Sequence, residues 1–94
     1  MTLDQFRRTL GRRDPPPDLA GPLAALWWAA KGDWDKAHGI VMDDGGRDAA
    51  WVHAYLHRVE GDSSNARYWY GQAGRAPTTA PLDAEWEQIV SALL

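Results

Sequence analysis

Two Gly-Asp pairs, at Gly32-Asp33 and Gly61-Asp62, restrict the fold of this 94-residue chain more than any other feature. Each pair stands between two segments whose composition favours helix, and the two pairs lie 29 positions apart. Glycine readily adopts the left-handed conformation that ends a helix, and aspartate can cap the helix that follows. The sequence therefore predicts two units of the same design, each a helix, a tight turn and a second helix.

Alanines recur at equivalent positions on both sides of the two turns. The spacing of 29 relates them as two pairs: Ala25 with Ala54, and Ala37 with Ala66. This pattern resembles the tetratricopeptide repeat (TPR) family, in which a small residue of the first helix packs against an alanine early in the second. The family's repeat is longer, at about 34 residues. The second unit also resembles a small protein that recurs in bacteria.

The chain is predicted to form a single all-α domain over residues 1–94, because no stretch alternates apolar and polar residues as a strand does. Its predicted parts are an N-terminal helix (1–11), a proline-rich connector (12–18), two helical hairpins (20–78) and a C-terminal capping helix (83–94). Two repeats are fewer than the three or so that an isolated solenoid needs. We therefore expect short TPR-like helix-turn-helix repeats, two units in all, with flanking helices that cap their ends.

The TPR resemblance implies binding and not catalysis. In that family the inner face of the first helices contacts a partner, and the corresponding face of the second unit carries Trp51, Tyr55 and Arg58. The following helix adds Arg67 and Trp69, because one helix turn cannot bury every aromatic and charged residue found there. Aromatic residues and arginine are common anchors of interfaces. We predict a non-enzymatic module that binds a partner protein or peptide, with Arg58 or Arg67 facing a partner carboxylate and self-association left open.

A small-molecule or metal-binding pocket is the alternative hypothesis, because His53 and His57 lie one helical turn apart. The stretch between them lacks the glutamate of the metalloprotease motif. The candidates for a third ligand, which are His38, Glu60 and Asp62, do not stand at a diagnostic spacing. The repeat register places both histidines on the face that packs inside the unit. We therefore predict packing roles for His53 and His57 and no metal site.

Composition and charge exclude several classes of function. The net charge is −3 and four of the arginines lie within residues 1–13, so the acidic remainder does not suit nucleic acid. No apolar run approaches the roughly 20 residues that a membrane span needs, and the N-terminal stretch lacks the apolar segment of a secretory signal. A chain without cysteine fits a reducing compartment, so we expect a cytoplasmic protein. Without a glycine-rich phosphate loop or a nucleophile triad, neither an enzyme nor a cofactor is predicted.

Overall fold

A computed structural model describes residues 1–19 and 21–94 of the chain. Across those residues it has six helices and no strand, which confirms the all-α prediction. The helices are α1 (Leu3–Thr9), α2 (Pro22–Ala30), α3 (Trp34–Val41), α4 (Arg47–Val59), α5 (Ser63–Ala73) and α6 (Leu82–Leu93). The first residue of the predicted hairpin region, Ala20, lies outside the described residues. The proline-rich connector predicted at 12–18 contains no helix or strand.

The two Gly-Asp turns have the predicted conformation and are alike. Gly32 has φ +81° and Gly61 has φ +82°, in the left-handed region that glycine adopts without a steric penalty. The backbone N–H of each glycine donates to the carbonyl three residues before it, at 3.0 Å in both turns. The side chains of Asp33 and Asp62 each accept a bond of 3.1 Å from the third residue of the helix that follows. The turns thus link α2 to α3 and α4 to α5 as two antiparallel hairpins.

The alanines predicted to line these hairpins are all buried. Each hairpin buries one alanine from its first helix and one from its second, and the four are Ala25, Ala37, Ala54 and Ala66. A methyl group at these positions leaves the two helices of a hairpin in close contact, and a larger side chain would force them apart. The hairpins are thereby held by packing that depends on small residues.

The N-terminal helix α1 begins as its sequence indicates and then joins the core. Thr2 and Gln5 form a reciprocal capping box at its start. Phe6 is fully buried, and its ring meets the Trp86 ring edge-on, with centroids 5.7 Å apart. The helix therefore anchors its inner face on α6.

Helix α6 folds back across the inner faces of α4 and α2. The Trp86 Nε1–H donates to the carbonyl of Leu26 at 2.9 Å. Glu85 is 1% exposed and accepts hydrogen bonds from the guanidinium of Arg58, at 2.6 Å, and from the Tyr70 hydroxyl. One carboxylate on α6 thus joins α4 and α5. We call Arg58, Tyr70 and Glu85 the carboxylate triad.

The described residues form one body with a radius of gyration of 12.2 Å. That value is close to the roughly 12 Å expected of a compact domain of this length. Among the helices described here, none combines the length and apolar character needed to cross a membrane.

Tyr55, on the face of α4 that α6 covers, links this burial to stability at alkaline pH. Burial, and after it the carboxylates of Asp83 and Glu85, raises the pKa of Tyr55 to about 12. The unfolded chain loses this proton near its ordinary pKa of about 10. Between those two values the folded state binds more protons than the unfolded state, so stability falls as pH rises through the window.

We expect the wild type to lose about 1 kcal/mol more stability than Tyr55→Phe between pH 9 and pH 11. Phenylalanine fills the same volume but cannot ionise, so the variant isolates this one proton. Urea denaturation followed by circular dichroism at both pH values measures the difference. Equal losses in the two proteins would contradict the prediction.

Candidate functional site

The predicted binding face of α4 is covered by α6. Trp51 is 3% exposed and Tyr55 is 7% exposed, while Arg58 donates to the carboxylate of Glu85. The guanidinium carbon of Arg75 lies over the Trp51 ring, 3.3 Å from its centroid. The expectation that Trp51, Tyr55 and Arg58 form an exposed face is therefore wrong. Its physical reason is that α6 supplies the carboxylate and the apolar cover that the sequence assigned to a partner.

The other two predicted binding residues, Arg67 and Trp69, lie on α5 and remain accessible. Arg67 is exposed, and Trp69 is half-buried with its ring stacked on His53 at a centroid distance of 3.8 Å. Between them Tyr68 is 58% exposed, and its ring meets the Trp69 ring edge-on at 5.1 Å. We call Arg67, Tyr68 and Trp69 the aromatic–arginine patch.

Behind this patch the structure brings together all three histidines of the chain. His38 comes from α3, and His53 and His57 come from α4. One ring nitrogen from each histidine can be chosen so that all lie within 4.8 Å of one another. The closest approach is 3.0 Å, between Nε2 of His38 and Nε2 of His53. We call these three residues the histidine cluster.

The histidine cluster is enclosed by aromatic rings. Trp34 stacks on His38 with centroids 4.6 Å apart, and Trp69 stacks on His53 from the opposite hairpin helix. His53 and His57 are both buried, as their predicted packing role requires, whereas His38 is half-buried. Two tryptophan rings and burial on α4 therefore limit the contact of the cluster with water.

The hydrogen bonds of the cluster indicate how its rings are protonated. Nδ1 of His57 lies 2.6 Å from Oε1 of Glu60, and because a carboxylate only accepts, this nitrogen carries the proton. Nδ1 of His53 is buried without a hydrogen-bond partner. Burial, and after it the neighbouring His38 and His57, lowers the pKa of His53 to about 4. At neutral pH the His53 ring is therefore uncharged and keeps one nitrogen lone pair.

The sequence contains the members of this cluster but does not show that they lie together. The spacing of four between His53 and His57 is visible in the chain, but His38 stands 15 positions before His53 and on another helix. Its approach depends on how α3 crosses α4, which no local pattern encodes. Glu60 and Asp62 also reach His57, and these three could form a second group of oxygen and nitrogen ligands.

The chain matches no protein-family model, no curated protein and no solved structure. Two features of the structure therefore bear on function: the aromatic–arginine patch on the surface and the histidine cluster behind it. The aromatic–arginine patch offers a partner two rings and a cation. The histidine cluster offers three imidazoles, which are good ligands for transition metals and weak nucleophiles for chemistry without a metal.

Proposed function

We propose that this chain is a non-enzymatic protein-interaction module that binds an acidic segment of a partner protein or peptide through the aromatic–arginine patch. The exposure of Tyr68 carries this proposal, because 58% of this residue faces solvent, whereas the other phenylalanine, tyrosine and tryptophan rings are buried or half-buried. The resemblance of the hairpins to TPR repeats supports a binding role. The lack of cysteine supports a cytoplasmic location.

The rings of the patch are arranged so that binding costs little conformational entropy. Trp69 is fixed by its stack on His53, and Tyr68 leans edge-on against Trp69. Aromatic side chains that are already positioned make effective anchors, since few rotamers are lost when a partner covers them. A partner residue placed over Tyr68 would bury most of its ring and leave the hydroxyl for a polar contact.

Charge indicates which kind of partner suits the patch. Helix α5 contains no aspartate or glutamate, and Arg67 is its only charged residue. The exposed guanidinium of Arg67 thus stands beside Tyr68 without a carboxylate from its own helix. A planar guanidinium binds a carboxylate through two parallel hydrogen bonds. An acidic segment, in which a carboxylate is flanked by an apolar side chain, fits this surface.

Loss of the patch is expected to weaken partner binding by at least about tenfold, the effect of an anchor residue. The variants Tyr68→Ala and Arg67→Glu are immobilised beside the wild type, and the proteins that each captures from cell lysate are compared. Arg8→Glu is the matched control, because it reverses an exposed arginine of α1, on another helix.

The proposal predicts a partner that the wild type and Arg8→Glu retain and that both patch variants lose. A partner retained by all four proteins would show that the patch is not the contact surface. Light scattering of the purified wild type and Tyr68→Ala tests whether the partner is a second copy of this chain. In that case the wild type has the mass of a dimer and the variant the mass of a monomer.

A further inference from the structure

Three imidazoles converge in the histidine cluster, where Trp34 contacts the rings of His38 and His57, and His53 stacks on His57. Stacking on Trp34 and Trp69 accounts for the positions of the His38 and His53 rings. It does not account for the direction of their nitrogens, because rings can stack with their nitrogens turned to solvent or to backbone carbonyls. Here the Nε2 atoms of His38 and His53 lie 3.0 Å apart, and a nitrogen of His57 lies within 4.8 Å of a nitrogen of each of the other two rings.

The shortest nitrogen–nitrogen separation in the cluster is close to that of two ligands on one metal ion. A zinc–imidazole bond is about 2.0–2.1 Å long, so two ligands of a tetrahedral ion lie about 3.3 Å apart. The His38–His53 separation of 3.0 Å is within a few tenths of an ångström of that value. The third nitrogen, from His57, lies within 4.8 Å of the other two, so the rings must draw closer together when an ion binds.

The contact between the His38 and His53 rings also favours a bound metal ion. Two neutral Nε2 atoms at 3.0 Å attract each other only if one carries a proton and the other a lone pair, which fixes the tautomers of both rings. Nδ1 of His53 faces away from this contact and is buried without a hydrogen-bond partner whichever tautomer the ring adopts. A divalent cation between the rings removes the need for unlike tautomers, because every ring then presents a lone pair to it.

The Glu60 carboxylate holds the third imidazole of the cluster, that of His57, in place. It accepts from Nδ1 of His57 at 2.6 Å, so in the neutral ring Nε2 is the nitrogen with the lone pair. Histidines that bind metals usually donate their second nitrogen to such a carboxylate, which fixes the ring and strengthens it as a ligand. Glu60 thus provides both an orientation and a negative charge that a bare set of imidazoles lacks.

We propose that the histidine cluster binds one divalent transition-metal ion, of the class that includes Zn²⁺, Co²⁺ and Ni²⁺, through one nitrogen each of His38, His53 and His57. Nitrogen ligands without thiolates suit these ions. The bound ion ties α3 to α4 and so cross-links the two hairpins. The site does not depend on partner binding at the aromatic–arginine patch, so either proposal can fail alone.

Cobalt and zinc titrations test the site on the whole chain. One equivalent of Co²⁺ is expected to give the visible absorption of a low-symmetry nitrogen-ligated ion, and Zn²⁺ is expected to displace it with a stoichiometry of one. His38→Gln removes a half-buried ligand and should abolish this spectrum. Lys36→Gln, an exposed change two residues away on the same helix, is the matched control and should bind as the wild type does.

Glu60→Gln tests the supporting carboxylate, and we expect the affinity for Zn²⁺ to fall about 10- to 100-fold. Nitrogen-detected NMR of the imidazoles gives a readout that needs no variant. Because the chain has only three histidines, all three rings should shift together and saturate at one equivalent of Zn²⁺.

Two results would overturn the proposal. Imidazole resonances that stay unchanged at several equivalents of Zn²⁺ would show that the cluster is a packing feature. Binding that survives His38→Gln but disappears in Asp62→Asn would place the ion at His57, Glu60 and Asp62, outside the histidine cluster.

Discussion

Replacement of Glu85 by alanine is expected to lower the free energy of unfolding by about 3–5 kcal/mol, as when one partner of a buried ion pair is removed. The carboxylate is 1% exposed and accepts from both Arg58 and Tyr70. Its removal leaves a guanidinium and a hydroxyl facing a cavity, with little access to water. Urea denaturation followed by circular dichroism measures the loss.

Glu87→Ala is the matched control, since it removes the same side chain two residues further along α6. Glu87 is paired with Arg7, but its side chain is 45% exposed, and exposed pairs contribute only about 0–1 kcal/mol. We therefore expect a difference of at least about 2 kcal/mol between the two variants. Similar losses would mean that the carboxylate triad adds no more than a surface pair does.

Replacement of Trp27 by alanine is expected to cost about 3–5 kcal/mol, the usual penalty for removing a large aromatic ring from a core. Trp27 is fully buried in α2, and its Nε1–H donates to Oγ1 of Thr9 at 3.0 Å. The change thus creates a cavity and leaves the Thr9 hydroxyl without the bond that joins α2 to α1. Chemical denaturation measures the loss of stability. A variant that is unfolded in buffer without denaturant would be the extreme case of that loss.

The neighbouring Trp28 provides an internal comparison. Its ring meets the Trp27 ring edge-on at 5.0 Å, but it is only half-buried, and the ammonium group of Lys36 lies 4.1 Å from its centroid. Trp28→Ala therefore leaves a site that solvent can fill, and we expect less than half the loss of Trp27→Ala. Equal losses would show that burial does not distinguish the two residues.

Local features of the fold could be predicted from the sequence, because their causes lie within a few residues. Thr2 and Gln5 form a capping box since they stand three apart at a helix start, and Gly32 ends α2 since only glycine takes its conformation without strain. The burial of Ala54 and Ala66 follows from the same short-range pattern. Helix order and hairpin turns are thus encoded in short segments.

The contents of the sites could not be predicted in the same way, because their residues meet across long stretches of chain. The sequence predicts that Arg58 faces a carboxylate of a partner, but Arg58 pairs with Glu85 of the same chain, 27 positions later. The amphipathic pattern of α4 shows that one of its faces must be covered, but it does not state by what. His38 joins the histidine cluster only through the crossing of α3 and α4. Tertiary packing, which sequence periodicity does not specify, decided each of these cases.

The two hairpins and helix α6 differ in how much chain entropy is lost when they form. Each hairpin closes over its own short turn, so its ends meet at a small loop-closure cost. Helix α6 must instead find Leu26, which lies 60 positions before Trp86. Contacts of that separation slow folding, because chain entropy has to be lost before any packing is gained. The packing of α6 is therefore the most non-local part of the fold, and without it the aromatic face of α4 is open to water.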